Sequence, residues 1–176
     1  QRRNVPIYTK NRVADSISRG ILDEIEHHPN IKFILTGWPG PLGTNPNNPV
    51  KILLEKAKTN MAVLLCRNPI KLRHILVPIG GGLHSRLALR VAYEIASQEN
   101  AYITALHIYS KTTESEDIED ELNFLREIVI DELGLVPTRI TLRIMLAEQV
   151  TQGVLQETKR QPYDLVIMGA SEEYGL

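Results

Sequence analysis

Short runs rich in Val, Ile and Leu alternate along the chain with longer segments of helical period. Residues 31–36 (IKFILT), 61–66 (MAVLLC), 74–79 (HILVPI), 101–109 (AYITALHIY), 139–146 (RITLRIML) and 164–168 (DLVIM) read as strands. Their apolar character is nearly continuous, as in strands covered on both faces. Helices are predicted at about 13–28, 49–59, 84–99, 115–133 and 148–160. In 84–99, Leu87, Val91 and Ile95 fall four apart and predict the buried stripe, with Ser85 as N-cap. Strand and helix in alternation predict an α/β fold with a parallel sheet and helices on both faces.

A second regularity lies on top of the first. The stretch VADSISRGILDEIEHHPNIKFILTGW (Val13 to Trp38) aligns with LAEQVTQGVLQETKRQPYDLVIMGA (Leu146 to Ala170). Ala14 pairs with Ala147, Gly20 with Gly153, Leu22 with Leu155, Glu24 with Glu157 and, after one deletion, Gly37 with Gly169. A mid-helix glycine costs about 1 kcal/mol against alanine, so two at matching positions predict a close packing contact. The repeat is too long for a solenoid unit and indicates two tandem domains of one type. Residues 1–68 form the back half of the first and 69–176 most of the second. Arg67 to Leu72, with Asn68-Pro69, is the linker.

Composition narrows the class. Hydrophobic residues make up 43% of 176, and 20 Lys and Arg against 21 Asp and Glu give a net charge of −1. No charge excess points to nucleic acid or an anionic membrane. Cys66 is the single cysteine. That excludes an internal disulfide and suits a reducing, cytoplasmic setting. The apolar runs fall short of the roughly 18 residues that span a bilayer. The sequence does not open on Met, and the missing front of the first copy leads us to expect upstream residues, another chain or the second copy to supply its packing.

The order and duplication of these pieces resemble the universal stress protein family. The carrying elements are ILVPI with its glycine turn, the helix SRLALRVAYEIA, the strand endings ILTGW and VIMGA, and NPVKILLEKAKTNMAVLLC. ILVPIGGG, with glycine where the family commonly has aspartate, is most similar to tandem domains on the cytoplasmic tails of amino-acid permease-type transporters. The resemblance implies an open five-stranded parallel sheet of order 3-2-1-4-5, tandem and incomplete here. Ligands of such sheets lie beyond the carboxyl ends of the strands. It also implies pairing through the strand at 61–66, either in a homodimer or internally between the copies, and a transporter membrane domain upstream.

Nucleotide-binding members carry an aspartate after strand 1 and a motif G-x2-G-x9-G-[S/T] after strand 4. Glycine there lets backbone N–H groups approach phosphate oxygens at a helix start. In this chain Gly80 stands in the aspartate's place. Gly37 and Gly40 match the opening G-x2-G, but Val50-Lys51 follow nine residues on, and registration on the helix puts Asn48-Pro49 there. Proline removes a donor, and Asn48 with Pro49 also suits a plain N-cap and first helical position. In the second copy Gly169 is followed by Glu172 at the next glycine position. Gly80, Gly81 and Gly82 read either as an anion cradle or as a tight βα turn, and the incomplete motif favours the turn.

Other chemistry is sparse. His27, His28, His74, His84 and His107 show no metal-ligand spacing. His84 beside the glycine turn is the one that could face a ligand. Ser85 lacks the G-x-S-x-G setting of a nucleophile. The acidic run from Glu114 is not an EF-hand loop; Ile118, Leu122, Leu125 and Val129 form its apolar stripe and the acids its solvated face. Trp38 and Tyr174 follow the matched glycines and are expected to pack under loops, and Cys66 is expected in the core. The leading expectation is a non-catalytic regulatory or interaction module without a cofactor or nucleic-acid partner. The alternative is a small-ligand sensor that binds ATP, AMP or another anion at Gly37 and Gly40 or at Gly80–Gly82. An ATP-hydrolysing enzyme comes last, since no base or Mg²⁺ ligand can be named.

Overall fold

The computed structural model describes residues 6–38, 40, 47–66, 71–110 and 118–170. The chain divides into two compact units, Gln1–Pro69 and Ile70–Leu176. Glu172 and Tyr174, and most of the expected linker, lie outside the described residues.

The first unit contains α1 (Ile17–His27), β1 (Phe33–Gly37), α2 (Pro49–Lys56) and β2 (Asn60–Leu64). Ser16 caps α1, its side chain accepting from Arg19 N. β1 and β2 pair in parallel, Phe33 opposite Asn60 through Gly37 opposite Leu64. Val50 and Leu53 of α2 are its buried apolar residues. The strand β1 alternates in exposure, with Phe33 and Leu35 turned out, Leu35 at 64%. Cys66 is exposed beyond the end of β2 rather than buried in a strand, because the strand stops at Leu64.

The second unit contains β3 (His74–Pro78), α3 (Leu83–Glu99), β4 (Tyr102–Tyr109), α4 (Ile118–Leu133), β5 (Ile140–Leu146), α5 (Val150–Arg160) and β6 (Leu165–Val166). Its parallel strands lie in the order β5-β4-β3-β6. Within the unit that is third, second, first, fourth, and no fifth strand follows among the described residues. Among the described residues the strands thus form a four-stranded and a two-stranded sheet, and the full five-stranded order is not seen. One face of the larger sheet packs Ile75, Val77, Ile103 and Ala105 against Ala88, Leu89, Ala92 and Ala96 of α3 and Leu125, Ile128 and Val129 of α4. The other face packs Leu76 and Leu106 against Val154 of α5. Cover on both faces explains the unbroken apolar run of β3.

Two local expectations shift by a residue or a turn. The face of α3 on the sheet is Ala88, Leu89, Ala92 and Ala96, whereas Leu87, Val91 and Ile95 are only half-buried. Small residues let the helix axis approach the strands, so the bulkier stripe stands to one side. The N-cap is Gly82, not Ser85, and Ser85 Oγ instead donates back to the Gly82 carbonyl at 2.8 Å.

The matched helix glycines are both tight but have different neighbours. A Cβ at Gly153 would lie 2.7 Å from Ile108 Cδ1, and one at Gly20 would lie 3.3 Å from Ala14 Cβ. Their matched glutamates hold similar partners. Lys10 Nζ meets Glu24 Oε1 at 2.7 Å, and Arg143 Nε meets Glu157 Oε2 at 2.8 Å, each pair fourteen residues apart.

β6 is only two residues long, and Asp164 holds it in register. Its Oδ2 accepts from Arg73 N at 2.8 Å and His74 N at 3.0 Å, while its own N–H donates to the His74 carbonyl at 2.9 Å. The bonds from His74 N–H and then Arg73 N–H hold the carboxyl below its ordinary value.

Candidate functional site

The carboxyl ends of β3, β4 and β5 gather the polar groups of the second unit. At the end of β3 the chain turns through Gly80, Gly81 and Gly82 into α3. Gly81 has φ +84°, and a Cβ there would lie 2.8 Å from Phe124 Cζ of α4. It is a glycine by conformation and by space. Gly80 and Gly82 have nothing within 4 Å of a Cβ.

Arg86, one turn into α3, locks the same turn. Its Nε donates to the Gly81 carbonyl at 3.1 Å, and Nη1 reaches Glu132 at 3.1 Å and Asp131 at 3.4 Å. The hydrogen bond that the guanidinium donates to Glu132 comes first in holding its proton more firmly than usual. This cation nearest the glycine turn is thus committed to α4.

Gly169, five residues past Asp164 and three past the end of β6, is brought onto the start of α3. A Cβ there would stand 2.4 Å from the His84 carbonyl carbon and 2.5 Å from Ser85 N. Backbone touches backbone with no space between. Gly80–Gly82 and Gly169 therefore converge on one helix start. His84 itself is exposed.

Next to the turn lies a pair that sequence reasoning missed. His107, near the end of β4, has Nδ1 2.8 Å from the Ile79 carbonyl and Nε2 2.9 Å from Glu121 Oε2. His107 is 9% and Glu121 7% exposed. The His107 ring also packs against Phe124, centroids 5.0 Å apart. The expectation that all the acids of this helix are solvated fails at Glu121. Its spacing held the signal, because Glu121 shares the helical face of Leu125, Ile128 and Val129.

These groups border a cleft of about 550 Å³ lined by His107, Tyr109, Asp120, Glu121, Phe124 and Glu148 among others. Among the described residues its lining includes three carboxylates and no Lys or Arg. No group of three His, Cys, Asp or Glu suited to a metal occurs among the described residues.

In the first unit, Gly37 ends β1 and Gly40 has φ +102°, both with open space where a side chain would go. Asn48 caps α2, Oδ1 accepting from Val50 N at 3.0 Å and Lys51 N at 3.4 Å, with Pro49 in the first turn. The Asn-Pro pair therefore starts a helix and leaves few free donors there. A second cleft, about 560 Å³, lies beside α1. Its cations Lys10 and Arg12 both bind Glu24, at 2.7 and 2.8 Å. No helix among the described residues is long and apolar enough to cross a membrane.

Comparison with known proteins places this architecture. A search of curated proteins gives no match. Among solved structures, a universal stress protein from Archaeoglobus fulgidus aligns with TM-score 0.62 at 16% identity, covering 87% of this chain and 54% of its own. This chain thus spans about half of that one. A universal stress protein from Lactobacillus plantarum aligns at TM-score 0.46 and 17% identity, over 61% of this chain and 86% of its own. A universal stress protein in complex with cAMP aligns at TM-score 0.46 and 18% identity, over 56% and 76%. The family model described as "Universal stress protein family" matches residues 71–176. With that match over more than half its length, on a sheet whose carboxyl edge carries the glycine turn, the chain belongs to the universal stress protein family.

Proposed function

We propose that the chain is a non-catalytic regulatory or interaction module of universal stress protein type whose nucleotide site has degenerated. The contact of Gly169 with the first turn of α3 carries this reading, since no phosphate fits between backbones with no room for a Cβ. Three further observations support it. Gly81 is held under Phe124, Arg86 is engaged by Asp131 and Glu132, and the adjoining cleft is lined by carboxylates. Carboxylates repel phosphate rather than gather it. The residues at the family's nucleotide position do not suit the nucleotide.

The tandem arrangement, with 1–68 and 69–176 as parts of two like domains, belongs to the same proposal. It is supported by the matched ion pairs Lys10–Glu24 and Arg143–Glu157. An exposed Leu35 on a two-stranded sheet supports cover from a further segment. Pairing through the strand at 61–66, in a homodimer or between copies, would protect the outer edge of β2. Attachment to a transporter as its cytoplasmic tail completes the reading.

Thermal melting with ATP, ADP, AMP, cAMP and cyclic dinucleotides, with and without Mg²⁺, tests it. A ligand at 100 times its dissociation constant adds ~2.7 kcal/mol to the folded state. We expect no shift at millimolar ligand. A shift of several degrees would favour the sensor of ATP, AMP or another anion, and phosphate release would favour an enzyme.

A further inference from the structure

The segment ahead of α1 has the sequence place of a strand but no sheet. Carried back at one spacing from Glu24 and Glu157, residues 7–13 fall on β5 (Ile140–Leu146), with Lys10 on Arg143. Both cations meet the matched glutamate, at 2.7 and 2.8 Å. β5 pairs with β4 along its length, from Ile140 opposite Ile103 to Leu146 opposite Tyr109. Residues 7–13 join neither sheet among the described residues, and Ile7, Tyr8 and Val13 are each at least 88% exposed. At the far side of the repeat, β1 falls on β6, which pairs with β3. Among the described residues β1 has β2 on one edge and no strand on the other.

The cleft of about 560 Å³ is lined by Lys10 and Arg12 of that segment, Gly20 and Ile21 of α1, and Phe33 and Ile34 of β1. In the second unit the matching space is filled by β4 and β3, which lie between β5 and β6. Ile108 Cδ1 of β4 stands 2.7 Å from where a Cβ would be on Gly153, the partner of Gly20. Leu76 and Leu106 pack on Val154, the partner of Ile21.

We propose that the cleft beside α1 is a docking slot two strands wide, which takes a parallel strand–helix–strand segment between residues 7–13 and β1. The segment has the chemistry of β3–α3–β4: strands apolar on both faces, with Ile or Leu at the place of Ile108 to fill the space at Gly20. Its first strand differs from β3 in one respect. Lys32 falls where Asp164 accepts from Arg73 N and His74 N, so an acidic residue suits the start of the incoming strand. A second copy of this chain is a poor occupant, because its β3 and β4 are already held between β5 and β6. Docking makes residues 7–13 a strand and leaves Lys10 on Glu24, as Arg143 stays on Glu157 in the complete arrangement. The proposal rests on the tandem reading and not on the state of the nucleotide site.

A graft tests it. A copy of residues 71–139 carrying Arg73→Glu is fused ahead of residue 6 of the whole chain, so that it precedes residues 7–13 as β3, α3, β4 and α4 precede β5. Amide hydrogen exchange over 7–13 should slow roughly tenfold or more relative to the parent chain. Ile108→Lys in the grafted copy alone should restore the parent's rates. No added protection in a folded graft, or protection that survives Ile108→Lys, would overturn the proposal. Should the graft not fold, the parent chain decides. Its amides over 7–13 are expected to exchange at nearly unstructured rates from micromolar to millimolar concentration. Protection there equal to that of β5 would overturn the slot, and protection that grows with concentration would give the slot to a second copy and overturn the proposed occupant. A nucleotide-induced rise in melting temperature would instead overturn the degenerate-site reading and leave the slot standing.

Discussion

Gly169→Ala will destabilise the second unit by about 3 kcal/mol, in the upper range for overpacking. The added methyl would stand 2.4 Å from the His84 carbonyl carbon and 2.5 Å from Ser85 N. Neither atom is the movable end of a side chain. Relief requires α3's first turn or the strand end to shift, and β6 is held by only two register pairs with β3. In a unit of this size the loss lowers the melting temperature by roughly 15 °C. Gly80→Ala is the internal control. With nothing within 4 Å of its Cβ, it should stay within about 0.5 kcal/mol of the parent chain. Equal, small effects at both positions would remove the backbone contact on which the degenerate-site reading rests.

Glu157→Gln will cost about 2–3 kcal/mol at pH 7, and the cost will shrink as pH falls below the ordinary carboxyl range. Glu157 is fully buried. Its oxygens take hydrogen bonds from Arg160 at 2.6 and 3.0 Å, Arg143 at 2.8 Å and Tyr163 at 2.7 Å. Loss of one partner of a buried pair costs about 3–5 kcal/mol. The half-open position of Arg143 and Arg160, which can turn to water, brings the expected figure below that range. Burial pushes the Glu157 carboxyl up, but the hydrogen bonds from Arg160 and Tyr163 and the charges of Arg143 and Arg160 outweigh it and hold it below its ordinary value. A carboxyl depressed on folding stabilises the protein above its unfolded-state value of about 4.3. That contribution disappears as pH falls through the folded-state value. Urea unfolding at pH 7, 5 and 3 should show parent and variant converging in acid. Asp164, lowered in the same direction, leaves a remaining acid dependence in both chains. A pH-independent gap would mean that Glu157 acts through shape alone.

The regular part of the fold was legible because burial on two faces writes itself as continuous apolar runs. Every strand expected from such a run is present, though β6 is reduced to Leu165–Val166. The helix faces were harder. Large residues at 87, 91 and 95 drew the stripe one position away from the alanines that meet the sheet. Ser85 suggested a cap that Gly82 provides one turn earlier, since both residues lie in a short window of plausible starts. Asn48-Pro49, by contrast, is a helix start on both readings. The site was least legible, for a physical reason. Gly81 and Phe124 meet only when α4 packs on the turn, and His107 meets Glu121 only across β4 and α4. Such pairs depend on tertiary contact. Only the position of Glu121 on the helix's apolar face hinted at one of them.

The glycine turn as a packed corner rather than a phosphate cradle is tested most directly at the amides themselves. Backbone resonances of Gly80, Gly81, Gly82, Leu83, His84 and Gly169 should be followed while ATP or cAMP is added to millimolar concentration. The account predicts that these amides stay in place. Saturable shifts concentrated on them, with the rest of the second unit unmoved, would contradict it and restore a working anion site at the start of α3.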